Sequence, residues 1–439
     1  MRDIVLTAVI VGALPFAVRH TWIGVMLWTW ISIMNPHRLT WGFAFDMPFA
    51  AMAAGAALLS LFVTKDELRL PWEPPVVTLL LFVVWMCVTT LLAIYPEASL
   101  RDLNRVLKIQ LMTFVAFAAL RDRKHIELFV WINVISIGYF GVKGGLFTIA
   151  AGGVSKVWGP PGGFIEGNNE LGLAIIMVIP LMNYLRVVSS NGLVRATLLV
   201  SMLLCAAAAL GTHSRGALLA IVAMALVLWS RAQRKAAGAV VMVVTGVLLV
   251  SFMPQNWDER MSTISTYEQD SSATGRLNAW EMAFNLANDR PIGGGFSIIT
   301  GELFARYAPN PNAIHAAHSI YFQVLGEHGY PGLILFLLLG WFTFRTAGRI
   351  RAHASSNPDT AWLHPLAGMI QVSLVGYAVG GAFLSLAYFD LPYNVIVILV
   401  VCRRWLDEGR WKTETRGAFG ATVPVDRLPS KAARGGAPR

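Results

Sequence analysis

Charged side chains are scarce in this sequence of 439 residues. Asp, Glu, Lys and Arg make up 14% of the chain and hydrophobic residues 56%, whereas a soluble domain carries roughly 25% charged residues. Apolar runs of membrane-spanning length recur along the chain. The composition therefore excludes an ordinary soluble protein and predicts an all-α, polytopic integral membrane protein.

Cysteine is rare as well. The three cysteines, Cys87, Cys205 and Cys402, lie in apolar runs without metal-type spacing, which indicates neither a disulfide framework nor a zinc site. Acids are sparse in the loops predicted to face outward, and no two have the spacing of a glycosidase pair. We therefore predict a site that uses no metal ion and no other cofactor.

The apolar runs predict about twelve membrane helices. The N-terminal run lacks a cleavage site of small residues, so we expect it to be a first membrane segment. The first two runs have about 15 residues each and a span needs roughly 20, so we expect a shallow hairpin or one broken helix there. The runs cover residues 4–18, 21–35, 43–63, 74–94, 107–120, 126–150, 170–188, 193–211, 216–231, 236–253, 331–348, 364–386 and 391–406.

Lys and Arg gather in alternate short loops, which predicts that these loops are cytoplasmic. The net charge of +10 then needs no nucleic acid as a partner. The opposite loops face outward, and among them is the long polar stretch 254–330. This pattern divides the chain into N-terminal membrane helices (1–253), a large periplasmic loop (254–330), C-terminal membrane helices (331–406) and a disordered cytoplasmic tail (407–439).

Two outward segments have sequence patterns typical of ordered structure. Residues 96–108 carry helix-start chemistry and regularly spaced leucines, which favours an amphipathic helix at the membrane interface. A Gly/Pro turn at 159–163 precedes Asn168-Asn169-Glu170, which we expect to cap the next helix.

Several cations lie on the outward side, contrary to the usual bias. The guanidinium fork suits phosphate oxygens, so these cations favour a clamp for phosphate or pyrophosphate. Snorkelling to lipid phosphates and structural ion pairs explain the same pattern. The outward cations are Arg101, Arg105, Lys108, Lys156, Arg215 and Arg276.

Two histidines, His315 and His318, precede an apolar helical run. A neutral histidine beside an acceptor hydroxyl can act as a general base, whereas a capping or packing role explains the same positions. A zinc pair lacks an evident third ligand. The segment Asp289–Gly295 is typical of a turn with close backbone approach and lacks the strand context of a dinucleotide loop.

These motifs together resemble the O-antigen ligase/polymerase superfamily over about residues 160–405. The resemblance rests on Arg215-Gly216 at a helix start, Gly275-Arg276 followed by Trp280, the glycine run 293–295, His318-Ser319 and the segment 325–329. The N-terminal third, with Met34–Leu39, is similar to the O-glycosylation ligases associated with exosortase systems.

The resemblance implies a GT-C-like, metal-independent, inverting glycosyltransferase of the bacterial inner membrane. Its donor would be undecaprenyl-pyrophosphate-linked O-antigen, and its acceptor a sugar hydroxyl of lipid A–core on the periplasmic side. By the same resemblance, Arg215 and Arg276 would bind the donor pyrophosphate and His318 would be the base. Asn169, at a polar helix start, would line the cavity. His315 departs from the family pattern, and we expect it only to support the base. The remaining outward cations, Arg101, Arg105, Lys108 and Lys156, would line the path of the anionic donor.

Other functions fit the same residues. A protein O-oligosaccharyltransferase or an O-antigen polymerase would share the donor site. A flippase for the lipid-linked glycan would be expected to carry cations deep within its helices, and here the charge collects in outer loops. A purely structural scaffold does not explain the outward arginines. We expect a monomer or weak oligomer in contact with membrane lipid.

Overall fold

All regular structure in the described part of the chain is helical. The computed structural model describes residues 1–232, 235–251, 271–354 and 357–412. The α-helices in these residues are α1 (Arg2–Arg19), α2 (Thr21–Met34), α3 (Phe49–Val63), α4 (Pro74–Leu91), α5 (Pro96–Ala119), α6 (Arg123–Ala150), α7 (Asn168–Val188), α8 (Gly192–Gly211), α9 (Arg215–Arg231), α10 (Lys235–Ser251), α11 (Ser271–Asp289), α12 (Gly301–Tyr307), α13 (Ile320–Ala354), α14 (Leu363–Gly381) and α15 (Asp390–Asp407).

Six helical segments in the described ranges are long and apolar enough to cross a membrane: α4, α6, α7, α8, α13 and the segment Pro358–Gly381 that contains α14. The shorter helices α2 and α3 are also apolar. The chain is thus an all-helical, multi-pass membrane protein, and the count of about twelve crossings stays a prediction. The start of the long loop, 254–270, and the tail from residue 413 lie outside the described residues.

The centre of the bundle consists of α7 and α15. In α7, 78% of the most apolar 18 residues are buried, and the helix packs against α6, α8, α9 and α14. Nearly every residue of α15 is buried, although the helix carries polar groups. One of them, Asn394, donates from its side-chain amide to the side-chain oxygen of Asn133 on α6 at 2.9 Å. Both helices are therefore surrounded by other parts of the protein.

Residues 96–108 are not a separate interfacial helix. They form the first half of α5, which runs without interruption from Pro96 to Ala119. Proline at the first helical position starts this helix favourably, and residues 97–119 contain no glycine or proline to end it. The amphipathic pattern thus marks the outer end of a longer helix.

The helix α13 is broken at Gly329, where the backbone has φ +64°. Proline at position 331 has no N–H, so the carbonyl of Glu327 lacks the donor that a regular helix would supply. The N–H of Tyr330, the residue before this proline, bonds to the carbonyl of Pro291 at 3.0 Å. The carbonyl of Gly326 therefore lacks its helical donor as well. The break leaves two helical carbonyls to be satisfied from outside.

The glycine run at 293–295 supplies the missing donors. The N–H of Gly294 bonds to the carbonyl of Gly326 at 2.9 Å, and the N–H of Gly295 bonds to that of Glu327 at 2.8 Å. A Cβ on Gly293 would come within 2.4 Å of the backbone of the broken helix. The close backbone approach expected from the glycines is therefore present, and it attaches the outer segment to α13.

Candidate functional site

The turn before α9 holds Arg215 at the first position of that helix. The side chain of Ser214 accepts a hydrogen bond from the N–H of Ala217 at 3.2 Å, which is an ordinary N-cap. His213 adopts φ +54° and its Nε2 donates to the carbonyl of Gly153 at 2.8 Å. Arg215 is half-buried, and it adds its charge to the positive end of the helix dipole.

The start of α7 supports the same turn. Sequence predicted that Asn168-Asn169-Glu170 would cap this helix, but the N-cap is Gly167 and no side chain caps it. Instead, the side-chain amide of Asn168 donates to the carbonyl of Thr212 at 2.6 Å. Asn168 thus supports the turn before Arg215, and the cavity-lining role expected of Asn169 stays a prediction.

The second arginine, Arg276, lies on α11, which is held against the segment that contains the histidines. Asn278 brackets that segment, because its side-chain amide donates to the carbonyls of Asn310 and Ala313, both at 2.9 Å. The indole N–H of Trp280 donates to the carbonyl of Ala317 at 2.6 Å. These contacts fix the backbone directly before His318 relative to α11.

Close packing continues on both sides of these hydrogen bonds. The ring of Trp280 stacks on Phe322, with centroids 4.9 Å apart and planes 8° apart. At Gly275 a Cβ would lie 2.5 Å from the Cδ2 atom of His315, so the residue beside Arg276 is glycine where the imidazole needs room. His315 therefore contacts α11 directly, and its supporting role stays a prediction.

The arrangement disfavours the protonated form of His318. Burial lowers the pKa of its imidazole below the ordinary value, and the positive charge of Arg276, followed by His315, lowers it further. The backbone of His318 has φ +41°, and its Nδ1 atom is buried with no hydrogen-bond partner in the described part of the chain. A neutral, incompletely paired imidazole beside a guanidinium is suited to accept a proton next to an anion.

The C-terminal end of α14 lies against the starts of α9 and α13. A Cβ on Gly216, at the start of α9, would meet the Cβ of Phe383 at 3.2 Å. A Cβ on Gly381 would meet the side chain of Ile320, at the start of α13, at 2.7 Å. Arg276 also interacts electrostatically with Glu170 in the first turn of α7. The starts of α7, α9 and α13 thus converge with α11 around one region.

The other predicted site residues divide into two groups. Lys156 is half-buried in the loop that docks on the Arg215 turn, where the N–H of Val157 bonds to the carbonyl of Gly211 at 3.1 Å. Asn169 is half-buried at the start of α7. In contrast, the exposed cations Arg101, Arg105 and Lys108 lie on α5, and the last two line a different cavity, between α5, α2 and α3.

A buried polar cluster at the α13 break was not predicted from sequence. The hydroxyl of Tyr388 donates to the carboxylate of Glu327, which is 9% exposed. The neighbouring His328 is fully buried, and its Nδ1 lies 2.7 Å from the hydroxyl oxygen of Thr89. An acid and a histidine within an apolar run are a usable signal, but their partners lie about 60 and 240 residues away.

An apolar cavity of about 300 Å³ begins at Ile320 and Tyr321, directly after the His318 segment. It continues along α13 between α14 and α15 as far as Phe344 and Ile396. Its walls are almost entirely hydrocarbon and aromatic side chains, so it suits a hydrocarbon chain. The polar site and a hydrophobic cavity are therefore adjacent.

Metal binding has little support in the described ranges, where no three His, Cys, Asp or Glu side chains lie close enough together to hold a metal ion. The absence of a metal and of other cofactors from the reaction stays a prediction. The positive charge at the candidate site comes from the side chains of Arg215 and Arg276 and from the N-terminus of α9.

Comparison with known families gives two matches. Residues 200–337 match the model described as O-Antigen ligase. Residues 1–190 match a family of unknown function, DUF5935. No curated protein matches the chain. The residues Arg215, Arg276 and His318 all fall within the first match, and the cations of α5 fall within the second.

Proposed function

We propose that this chain is an O-antigen ligase, a proposal supported by the match of its residues 200–337 to the model described as O-Antigen ligase. It transfers a glycan from undecaprenyl pyrophosphate to a sugar hydroxyl of lipid A–core on the periplasmic face of the inner membrane. The observation that carries the proposal is that the helix of Arg276 is held against the backbone directly before His318, through the hydrogen bond from the indole N–H of Trp280 to the carbonyl of Ala317. His318 suits the acceptor proton and Arg276 suits the leaving group.

The leaving group is the lipid pyrophosphate. As the bond between the sugar and its phosphate breaks, negative charge develops on the phosphate oxygens. The guanidinium groups of Arg276 and Arg215 and the N-terminal end of α9 stabilise this charge. Because the donor brings an activated leaving group, the transfer needs no nucleotide.

The nucleophile is the acceptor hydroxyl. Its proton passes to the imidazole of His318 while its oxygen bonds to the anomeric carbon from the face opposite the phosphate, so the configuration inverts. The lowered pKa favours the unprotonated imidazole, which is the form a base requires. The positive charge of Arg276 also attracts the donor to the same place.

The hydrocarbon part of the substrate has a place next to the polar site. The apolar cavity that starts at Ile320 supports a lipid-linked donor, because a chain lying in it would hold its pyrophosphate at the level of His318. Six membrane-crossing segments and the resemblance to ligases agree with a donor that stays in the bilayer. The inner-membrane and periplasmic assignments rest on the distribution of Lys and Arg among the loops.

A reconstituted transfer assay tests the proposal. Purified protein is mixed with undecaprenyl-pyrophosphate glycan and lipid A–core in the presence of a chelator, alongside His318→Ala and Arg276→Ala. We expect product with the wild type only. Product with all three proteins would keep the ligase and refute the site, whereas strict dependence on Mg²⁺ or Mn²⁺ would refute the metal-free mechanism.

The acceptor is tested in the same assay. Lipid A–core is replaced by lipid-linked glycan in one arm and by a protein with Ser and Thr hydroxyls in another. Elongated lipid-linked glycan without modified lipid A–core would assign the chain as a polymerase, which also fits the matched family. Modified protein alone would assign it as a protein O-oligosaccharyltransferase.

A further inference from the structure

A second cavity, of about 580 Å³, lies between α2, α3 and α5, and the turn at 162–164 lines one end of it. Its volume is within the range of roughly 300 to 1,000 Å³ that small-molecule sites occupy. None of the residues proposed for glycosyl transfer at His318, Arg276 and Arg215 lines it. The chemistry of its two ends differs.

Its outer end is cationic. Arg105 and Lys108 are three residues apart on α5, so they share a face of that helix. The guanidinium carbon of Arg105 lies 4.0 Å from the ring centroid of Phe164, in the turn that lines this end of the cavity. This cation–π contact holds the charge of Arg105 at the cavity mouth. One acid, Asp390, also lines the cavity, and its carboxylate accepts a hydrogen bond from Ser32 at 2.7 Å. Two cations thus face one acid that already has a partner.

Its inner end is apolar. Met112 lines the cavity two turns further along α5 than Arg105, which is roughly 10 Å deeper at the helical rise. The facing wall, from α3, consists of small residues such as Ala51, Ala54 and Gly55. A Cβ on Gly55 would meet no atom within 4 Å. The small side chains of α3 thus leave free space along this wall. The charged side chains lie at the other end of the cavity only.

We propose that this cavity binds an anionic phospholipid of the surrounding leaflet. The phosphodiester lies between Arg105 and Lys108, and one acyl chain lies along α3 toward Met112. A singly charged phosphodiester matches the excess of one positive charge at the mouth. A zwitterionic lipid brings a cation of its own to the same place and binds less tightly. This site does not depend on glycosyl transfer at His318.

Native mass spectrometry of the purified full-length chain in detergent tests the site, with phosphatidylglycerol and phosphatidylcholine as the probes. We expect the wild type to retain phosphatidylglycerol preferentially. Near a membrane surface each cation contributes roughly a fivefold gain in affinity, so the double variant Arg105→Gln/Lys108→Gln should bind phosphatidylglycerol about 30-fold more weakly. Arg101→Gln is the matched control, because it removes a cation of the same helix that does not line the cavity.

A second pair of variants tests the apolar end. Gly55→Leu places a side chain into the cavity and should reduce retention of phosphatidylglycerol. Gly12→Leu on α1 is its control, since a Cβ on that glycine would also meet no atom within 4 Å and the residue lies outside the cavity. Thermal unfolding of each variant shows that it is folded.

Three results would overturn the assignment. They are equal retention of the two phospholipids by the wild type, unchanged retention of phosphatidylglycerol in the double variant, and displacement of phosphatidylglycerol from the wild type by stoichiometric undecaprenyl phosphate. The last result would assign the cavity to the substrate lipid.

Discussion

Replacement of Arg276 by glutamine should change both the rate of transfer and its dependence on pH. The guanidinium stabilises the departing pyrophosphate, and loss of one preorganised group of this kind costs roughly 100- to 1,000-fold in rate, or about 2.7–4 kcal/mol of transition-state stabilisation. The same charge lowers the pKa of His318. Glutamine removes that charge, so the imidazole takes up a proton more readily.

The direction of the pH effect follows from the role of His318 as a base. The rate of the wild type falls on the acidic side as the imidazole becomes protonated, and that limb lies below the ordinary histidine range. In Arg276→Gln the limb should move to higher pH. It should remain below the ordinary range, because burial is the largest cause of the lowered pKa and is retained.

The assay is single-turnover transfer across a pH series, with Arg276→Lys as the matched control. Lysine keeps the charge and lacks the fork that binds two phosphate oxygens, so its rate should fall while its acidic limb stays near that of the wild type. An acidic limb in Arg276→Gln that coincides with that of the wild type would refute the pairing of Arg276 with His318.

Three further substitutions give separate tests. His318→Ala should lower the rate of transfer by about 100- to 10,000-fold without loss of donor binding, and loss of binding instead would show that the residue holds substrate. Trp280→Phe keeps the stacked ring and removes the hydrogen bond to Ala317, so we expect thermal unfolding in detergent to show a loss of about 1 kcal/mol; an unchanged midpoint would contradict that contact. Tyr388→Phe leaves the buried carboxylate of Glu327 without its hydroxyl donor, which should cost roughly 1–3 kcal/mol by the same measurement, whereas an exposed tyrosine replaced as a control should cost nothing.

The residues proposed for the site could be named from sequence because their signals are local. Arg215 stands at a helix start, Arg276 follows a glycine, and His318 precedes a helix, and each of these features is visible within a few residues. The Lys and Arg bias of the short loops predicted that all three face the same side. In the structure, the starts of α9 and α13 both lie against the end of α14.

Other features depend on tertiary contacts that no local pattern contains. Arg105 and Lys108 carry the same charge as Arg276 and are predicted on the same side, yet they line a cavity formed by α2 and α3. The pairing of Tyr388 with Glu327 joins distant parts of the chain. The length of α5 was readable in principle, since residues 97–119 lack helix breakers, but the amphipathic pattern of its first half suggested a separate element.

The break in α13 has a consequence for how the outer segment can be handled. Two carbonyls of the broken helix are satisfied by amides of Gly294 and Gly295, and the amide of Tyr330 is satisfied by Pro291. Residues 271–319, expressed as a soluble fragment, would lose these partners. They would also lose Phe322 of α13, on which the ring of Trp280 stacks. The segment is thus one cooperative unit with the bilayer helices, and it can acquire its structure only after α13 has been inserted.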